Sequence, residues 1–362
     1  MFSIKKQLGK LYSSSILGNL SLTGAWVAIL AARGYNLVEI GVAETVFHIV
    51  SLLFEIPSGV LADVFGKKKM LLASTLMAMI SDVVMILSCN LFTVCLSIAF
   101  RALSYNCSSG SGDALAYDSL KLVGQESGFE RYESNQMTIW RVCEGLSTLC
   151  AGFALTIGHQ LAYGVSLITG AMQLMILATL REVQIGEKQT GIPLAKQLVS
   201  CFADSFRFVG QVRSALGLMF CNSFVGAVDT LLLFFLQAKL PQRGIPAWAL
   251  GLALLFMQLG GIAGSRLILR FPKARWRWVL AVSASLVGLG FLAEHSGLYW
   301  IMTLGGFLSA VGDDALQVRT NAILQSMFPS EQRATLTSLE SFIFSVIMIV
   351  LSPLAGYVFS IW

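Results

Sequence analysis

The chain is predicted to be an all-α polytopic membrane protein of about eleven transmembrane helices. Three observations carry that class. The sequence is 56% hydrophobic and only 12% charged, where soluble domains carry roughly 25%. Its mean hydropathy is +0.73. Apolar runs of about 20 residues recur from end to end, the length that crosses a ~30 Å hydrocarbon core. Backbone inside lipid must satisfy its own hydrogen bonds, which selects helices for such runs.

In order, the spans are expected near 11–32, 37–63, 69–90, 92–118, 132–158, 161–180, 214–238, 246–269, 276–293, 297–320 and 334–360. The distribution of Lys and Arg orients them. With the N-terminus in the cytoplasm, twenty basic residues fall on inside segments, among them Lys5, Lys6, Lys10, Lys67, Lys68, Lys69 and Arg270 to Arg277. Only Arg33, Lys239 and Arg243 fall outside, and Arg101 and Arg141 lie within spans. This topology accounts for the net charge of +5 without nucleic acid. The expected location is a bacterial plasma membrane.

One connection is long, 182–213, and divides the chain into a bundle over 1–181 and another over 214–362. Within it Leu194, Leu198, Phe202, Phe206 and Val209 recur at helical spacing, the mark of an amphipathic helix lying on the membrane surface. The halves echo one another. Gly112-Asp113-Ala114-Leu115 matches Asp313-Asp314-Ala315-Leu316, and Phe65-Gly66-Lys67 matches Phe271-Pro272-Lys273. Repeated halves are a common construction of secondary transporters.

The sharpest motif is Gly59-Val-Leu-Ala-Asp63-Val-Phe-Gly66-Lys67-Lys68-Lys69, between spans two and three. It resembles the helix 2–helix 3 loop signature of the major facilitator superfamily. The resemblance implies that family's fold, two six-helix bundles, and transport of a small solute by alternating access. It also implies a gate latch. Gly59 permits close helix approach, Gly66 a tight turn, and Asp63 faces the positive end of helix 11, here 330–333. Lys67 pairs with an acid at the end of helix 4, here Asp118. In the second half Leu269 and Pro272 stand where the aspartate and second glycine would be, so the latch is expected to be one-sided. The family pattern has twelve spans. This chain ends after the eleventh, so a truncated, non-transporting protein is one alternative reading.

Substrate or coupling candidates are the polar residues inside spans, where charge is costly and seldom idle. Arg101, Tyr105, Ser108 and Gly112 fall at i, i+4, i+7 and i+11, one face of a continuous helix. Arg101 is either a cavity residue or half of a structural ion pair. Asp113, Asp229 and Asp313 are candidate proton carriers. Asp229 and Asp313 are the better cavity candidates, because helices 1, 4, 7 and 10 line the cavity in the family, and the first choice of proton carrier is Asp229 or Asp113. Arg141 and Glu144, three apart, are expected to pair. Lys67 to Lys69 also serve as a topology anchor, and Asn19, Thr23, Trp26 and Asn222 fit packing as well as binding.

Other classes fit less well. His48, His159 and His295 lie far apart without metalloenzyme spacing, there is no phosphate-binding loop, and the seven cysteines show no paired spacing. The expectation is a non-enzyme, monomeric, without metal or cofactor, whose partners are lipid, a small solute and protons. The mostly apolar cavity spans favour efflux of an amphipathic compound. Span five lacks the glycine–proline pair of many drug antiporters, and uptake of a small metabolite is the alternative.

Overall fold

The computed structural model describes residues 3–183, 213–327 and 333–361. The amphipathic helix expected within 182–213 therefore lies almost wholly outside the described residues. Every expected span falls on a helix or a pair of helices. Span one is α1 (Ile4–Asn19) and α2 (Trp26–Ala32). Spans two and three are α3 (Leu37–Phe65) and α4 (Lys67–Leu87). Span four is α5 (Leu91–Ser108) and α6 (Ser111–Lys121), and span five is α7 (Phe129–Leu149) and α8 (Ala151–Ile157). Span six is α9 (His159–Ala178). Then follow α10 (Arg213–Gln242), α11 (Ala247–Leu267), α12 (Trp276–Glu294), α13 (Tyr299–Met327) and α14 (Arg333–Ile361). Eight of these stretches are long and apolar enough to cross a membrane.

The three spans built from two helices all lie in the first half. Broken backbone in hydrocarbon needs other hydrogen-bond partners, and the first break finds them on span five. Between α1 and α2, the Ser21 N–H donates to Ser147 Oγ at 3.0 Å, and Ser147 Oγ in turn donates to Asn19 O at 3.3 Å. Between α5 and α6, Gly110 takes φ +67°, a conformation only glycine adopts cheaply. This break corrects one expectation. Arg101, Tyr105 and Ser108 share a face of α5, but Gly112 lies in the first turn of a separate helix and does not continue that face.

The residues group into two compact units. One comprises 1–24, 49–147 and 157–203. The other comprises 25–48, 148–156 and 204–362. Contacts thus gather α2, the first turns of α3, and α8 with the second half of the chain, a grouping different from the sequence halves.

Small residues bring the helices together, as they must where lipid removes the hydrophobic drive between helices. In the first unit, Ser74 Oγ donates to Ser104 O, and Ser81 and Ser97 donate to one another's carbonyls, all at 2.8 Å, joining α4 to α5. In the second unit glycine does the same work between α12 and α13. A Cβ on Gly290 would stand 2.8 Å from Gly305 O, and one on Gly312 would stand 2.9 Å from Ser283 O. Gly260 and Gly264 of α11 lie against the carbonyls of Phe307 and Val311 of α13.

The ends of α4 and α9 are fastened to each other. Glu182, just past α9, accepts from the backbone N–H groups of Lys67 at 3.1 Å and Lys68 at 3.0 Å, placing a carboxylate on the positive end of α4. Lys10 Nζ donates to Thr179 O and Lys68 Nζ to Ala178 O, placing cations on the negative end of α9. Glu182→Ala should cost about 1 kcal/mol and speed amide exchange in the first turn of α4. Unchanged exchange there would show that the cap does not hold this end.

Candidate functional site

The loop motif is built around Gly66, whose φ of +102° makes the turn from α3 into α4. A Cβ there would also meet the Glu182 carboxylate at 2.7 Å. Lys67 Nζ donates to Asp118 Oδ2, joining the start of α4 to the end of α6. The Asp63 side chain, the surroundings of Gly59 and residues 330–332 lie outside the described residues. In the second unit the corresponding joint is neutral: Trp276, first in α12, donates from Nε1 to Thr320 Oγ1 at 2.9 Å. Arg319 beside it donates to Phe271 O at 2.5 Å and Pro272 O at 3.0 Å, pinning the loop in which Pro272 replaces glycine.

Within the first unit, Arg101 of α5 forms an ion pair with the buried Asp82 of α4, Nη2 to Oδ1 at 2.5 Å. Tyr105, one turn on, is exposed and within electrostatic reach of Glu55. Asp113 is exposed in the first turn of α6. The Arg141 guanidinium stacks over the Trp140 ring at 4.6 Å, while its charge still acts on Glu144.

The second unit holds the other candidates. Asp229, near the middle of α10, is buried, and Ser309 Oγ donates to its Oδ1 at 2.5 Å. Adjacent residues of α13 diverge. Asp313 points toward α10, its Oδ1 3.2 Å from where a Gly226 Cβ would stand. The Asp314 carboxylate occupies the place of a Gly261 Cβ on α11. Asp229 and Asp314 both act electrostatically on Asp313. Asn222, Gly226 and Asp229 recur at i, i+4 and i+7 on α10. Asn222 Nδ2 donates to Glu340 Oε1 of α14 at 2.7 Å, leaving its buried Oδ1 without a hydrogen-bond donor. Three carboxylates thus lie within electrostatic reach of one another, and glycines make room for two of them, Asp313 and Asp314. Among the described residues no group of three His, Cys, Asp or Glu is arranged to hold a metal.

At the end of this unit predicted to face outward, α3 crosses α14. Gly41 sits against Ser352 O, and Gly356 against Leu37 O. Pro353 has no N–H to bond Ile349 O. Thr45 Oγ1 reaches that carbonyl at 3.2 Å and shares its one hydrogen between it and Gly41 O of its own helix at 3.0 Å. One turn further, His48 meets Glu44 Oε1 at 3.2 Å through Nε2 and Ser345 Oγ at 3.3 Å through Nδ1. A second crossing joins α8 to α11, with Gly152 against Ala247 O. Beside it the end of α7 meets α11, where Gly251 sits against Leu149 O. Trp26 of α2 meets Phe234 of α10 edge-on at 5.7 Å.

Sequence reasoning missed several of these residues. Lys239, expected in an outside loop, is inside α10, buried and ion-paired to Glu294 at 2.5 Å. Leu236-Gln237-Ala238 precede it in sequence, and a lysine at a span end reads as an anchor. Glu182 and Ser147 gave no periodic signal. Thr45 could have been sought from Pro353, because a proline inside a span announces an orphan carbonyl four residues back.

The family model described as Major Facilitator Superfamily matches residues 11–353. A Bacillus subtilis (strain 168) protein described as the uncharacterized MFS-type transporter YxaM is 22% identical over 343 residues, covering 91% of this chain and 84% of that protein. A mutant of the nucleoside transporter NupG superposes with a TM-score of 0.78 at 15% identity, over 97% of this chain and 91% of that one. A bacterial homologue of the human lysosomal transporter Spinster, inward-facing and unoccupied, superposes with a TM-score of 0.69 at 15% identity, over 97% and 80%. At such identities the structural likeness is one of fold. The family match over nearly the whole chain establishes that the protein belongs to the major facilitator superfamily of multi-pass membrane transporters.

Proposed function

We propose that the protein exports a small amphipathic solute across the cell membrane in exchange for protons, by alternating access. The observation that carries this reading is the buried Asp229, bonded to Ser309 with Asp313 and Asp314 nearby. Carboxylates at mid-span are expensive unless they bind or transfer charge. Crowding several together favours holding a proton among them. In this reading proton uptake at Asp229 and Asp313 is tied to release of the solute. The export direction is supported by the apolar character of the spans that line the family's cavity.

The crossings of α3 on α14 and of α8 on α11 act as the outer gate in this proposal. At each crossing glycine sits directly against a carbonyl oxygen, and in this reading such a seal parts and re-forms. Lys67, Asp118, Asp63, Gly59 and Gly66 form the opposing latch, with the Lys67–Asp118 pair holding its loop in place.

Two experiments test the proposal. In proteoliposomes screened across solute classes, an imposed pH gradient should drive accumulation of an amphipathic solute. Asp229→Asn should abolish that accumulation while leaving gradient-free exchange. Accumulation that ignores the gradient, or survives Asp229→Asn, contradicts proton coupling through this site. Absence of any transport would favour the non-transporting alternative. Separately, Thr45→Val leaves Ile349 O without its side-chain donor and should weaken the closed outer gate by about 1–3 kcal/mol. Labelling of outer-gate cysteines should then increase, and Thr45→Ser should restore the wild-type level. Equal labelling of all three proteins would remove Thr45 from the gate.

A further inference from the structure

A groove of about 250 Å³ opens on the side of the second unit, between α11, α12 and α13. Leu267, Phe271, Trp278, Val282, Leu286 and Val311 are among the residues that line it, and its wall is almost wholly apolar. Trp278, Val282, Phe271 and Leu267 all present exposed surface. At its mouth run the α11–α12 connection and the first turn of α12, which carry Arg270, Lys273, Arg275 and Arg277 within eight residues. All four are exposed, and none takes part in an ion pair among the described residues. The loop is held in shape: Arg319 binds the carbonyls of Phe271 and Pro272, and Trp276 turns inward to Thr320.

We propose that this groove is a binding site for an anionic phospholipid, with an acyl chain in the groove and the phosphate on the basic loop. Two features choose that occupant. The first is charge. Four cations at the edge of an apolar groove, on the side predicted to be cytoplasmic, match an acidic headgroup above a hydrocarbon tail. The second is depth. From Trp278 to Leu286 the groove follows α12 for roughly 12 Å. That is close to one leaflet of a ~30 Å core. A helix from a partner protein would need a groove through both leaflets. Glycine at 312 keeps the groove floor low, since a side chain there would collide with Ser283 O and Leu286.

The test uses the purified full-length protein in detergent, titrated with phosphatidylglycerol or with phosphatidylcholine of the same acyl chains and followed by native mass spectrometry. One phosphatidylglycerol should bind on the order of tenfold more tightly than phosphatidylcholine at low salt. The difference should shrink in high salt. The double change Arg275→Gln and Arg277→Gln should lower phosphatidylglycerol binding about tenfold and leave phosphatidylcholine unchanged. Val282→Trp, which fills the groove from its open side, should lower both. Unchanged melting temperatures would confirm that the variants fold; should the arginine pair not, Arg270→Gln with Lys273→Gln tests the same charge. Equal retention of the two lipids, or no effect of the charge changes, would overturn the proposal. So would a protein dimer that Val282→Trp dissolves, because the groove would then hold a second copy of the chain.

Discussion

The contact between Gly41 and Ser352 O, with Thr45 reaching Ile349 O, is the constraint that holds the start of α3 against α14. Pro353 breaks the hydrogen-bond ladder of α14, and a buried carbonyl left bare costs about 1–3 kcal/mol. Thr45 of α3 can reach that carbonyl only because Gly41 and Gly356 let the two backbones approach closely. The proline, the threonine and the two glycines therefore act as one device. The α8–α11 crossing uses the same chemistry, with glycine seated against carbonyl oxygen. Together they tie the first turns of α3, and α8, to the unit formed by α10 to α14, where α2 joins through Trp26 and Phe234. A seal of this kind depends on fit more than on apolar area, so its stability is modest and reversible.

Charge is distributed to complement that architecture. Lys67–Asp118, Arg101–Asp82 and Lys239–Glu294 each tie two neighbouring helices within one unit. Breaking such a buried pair strands a charge, which makes these pairs register pins. Asp229 and Asp313 differ from them. Their named neighbours are a serine hydroxyl, a glycine that leaves room, and other carboxylates. No rigid framework needs acids placed this way, which is why the proposed chemistry is assigned to them.

Much of the fold was legible in sequence, because lipid imposes a coarse rule. Span number, order and the loop motif follow from apolar length and basic residues, and α3 begins at Leu37, the residue at which the second span was expected to begin. The pairing of Lys67 with Asp118 was legible through family resemblance. Other features depend on distant partners. Glu182 lies 115 residues from the N–H of Lys67 that it caps, and Lys239 lies 55 from Glu294. The break at Gly110 was hidden because the polar spacing around it continues to look helical. At the candidate site the aspartates themselves were visible. The reason they fit was not, because Gly226 and Gly261 matter only through what approaches them.

The central claim is that the outer crossing of α3 on α14 opens and closes during transport. The most direct test is the distance between spin labels at the outer ends of these helices, on Asn36 and Ser360, measured by electron–electron resonance in nanodiscs. The account predicts a dominant short distance at rest and a second, longer population that grows when solute or a pH gradient is supplied. A single distance that stays fixed while the same preparation transports solute would contradict it.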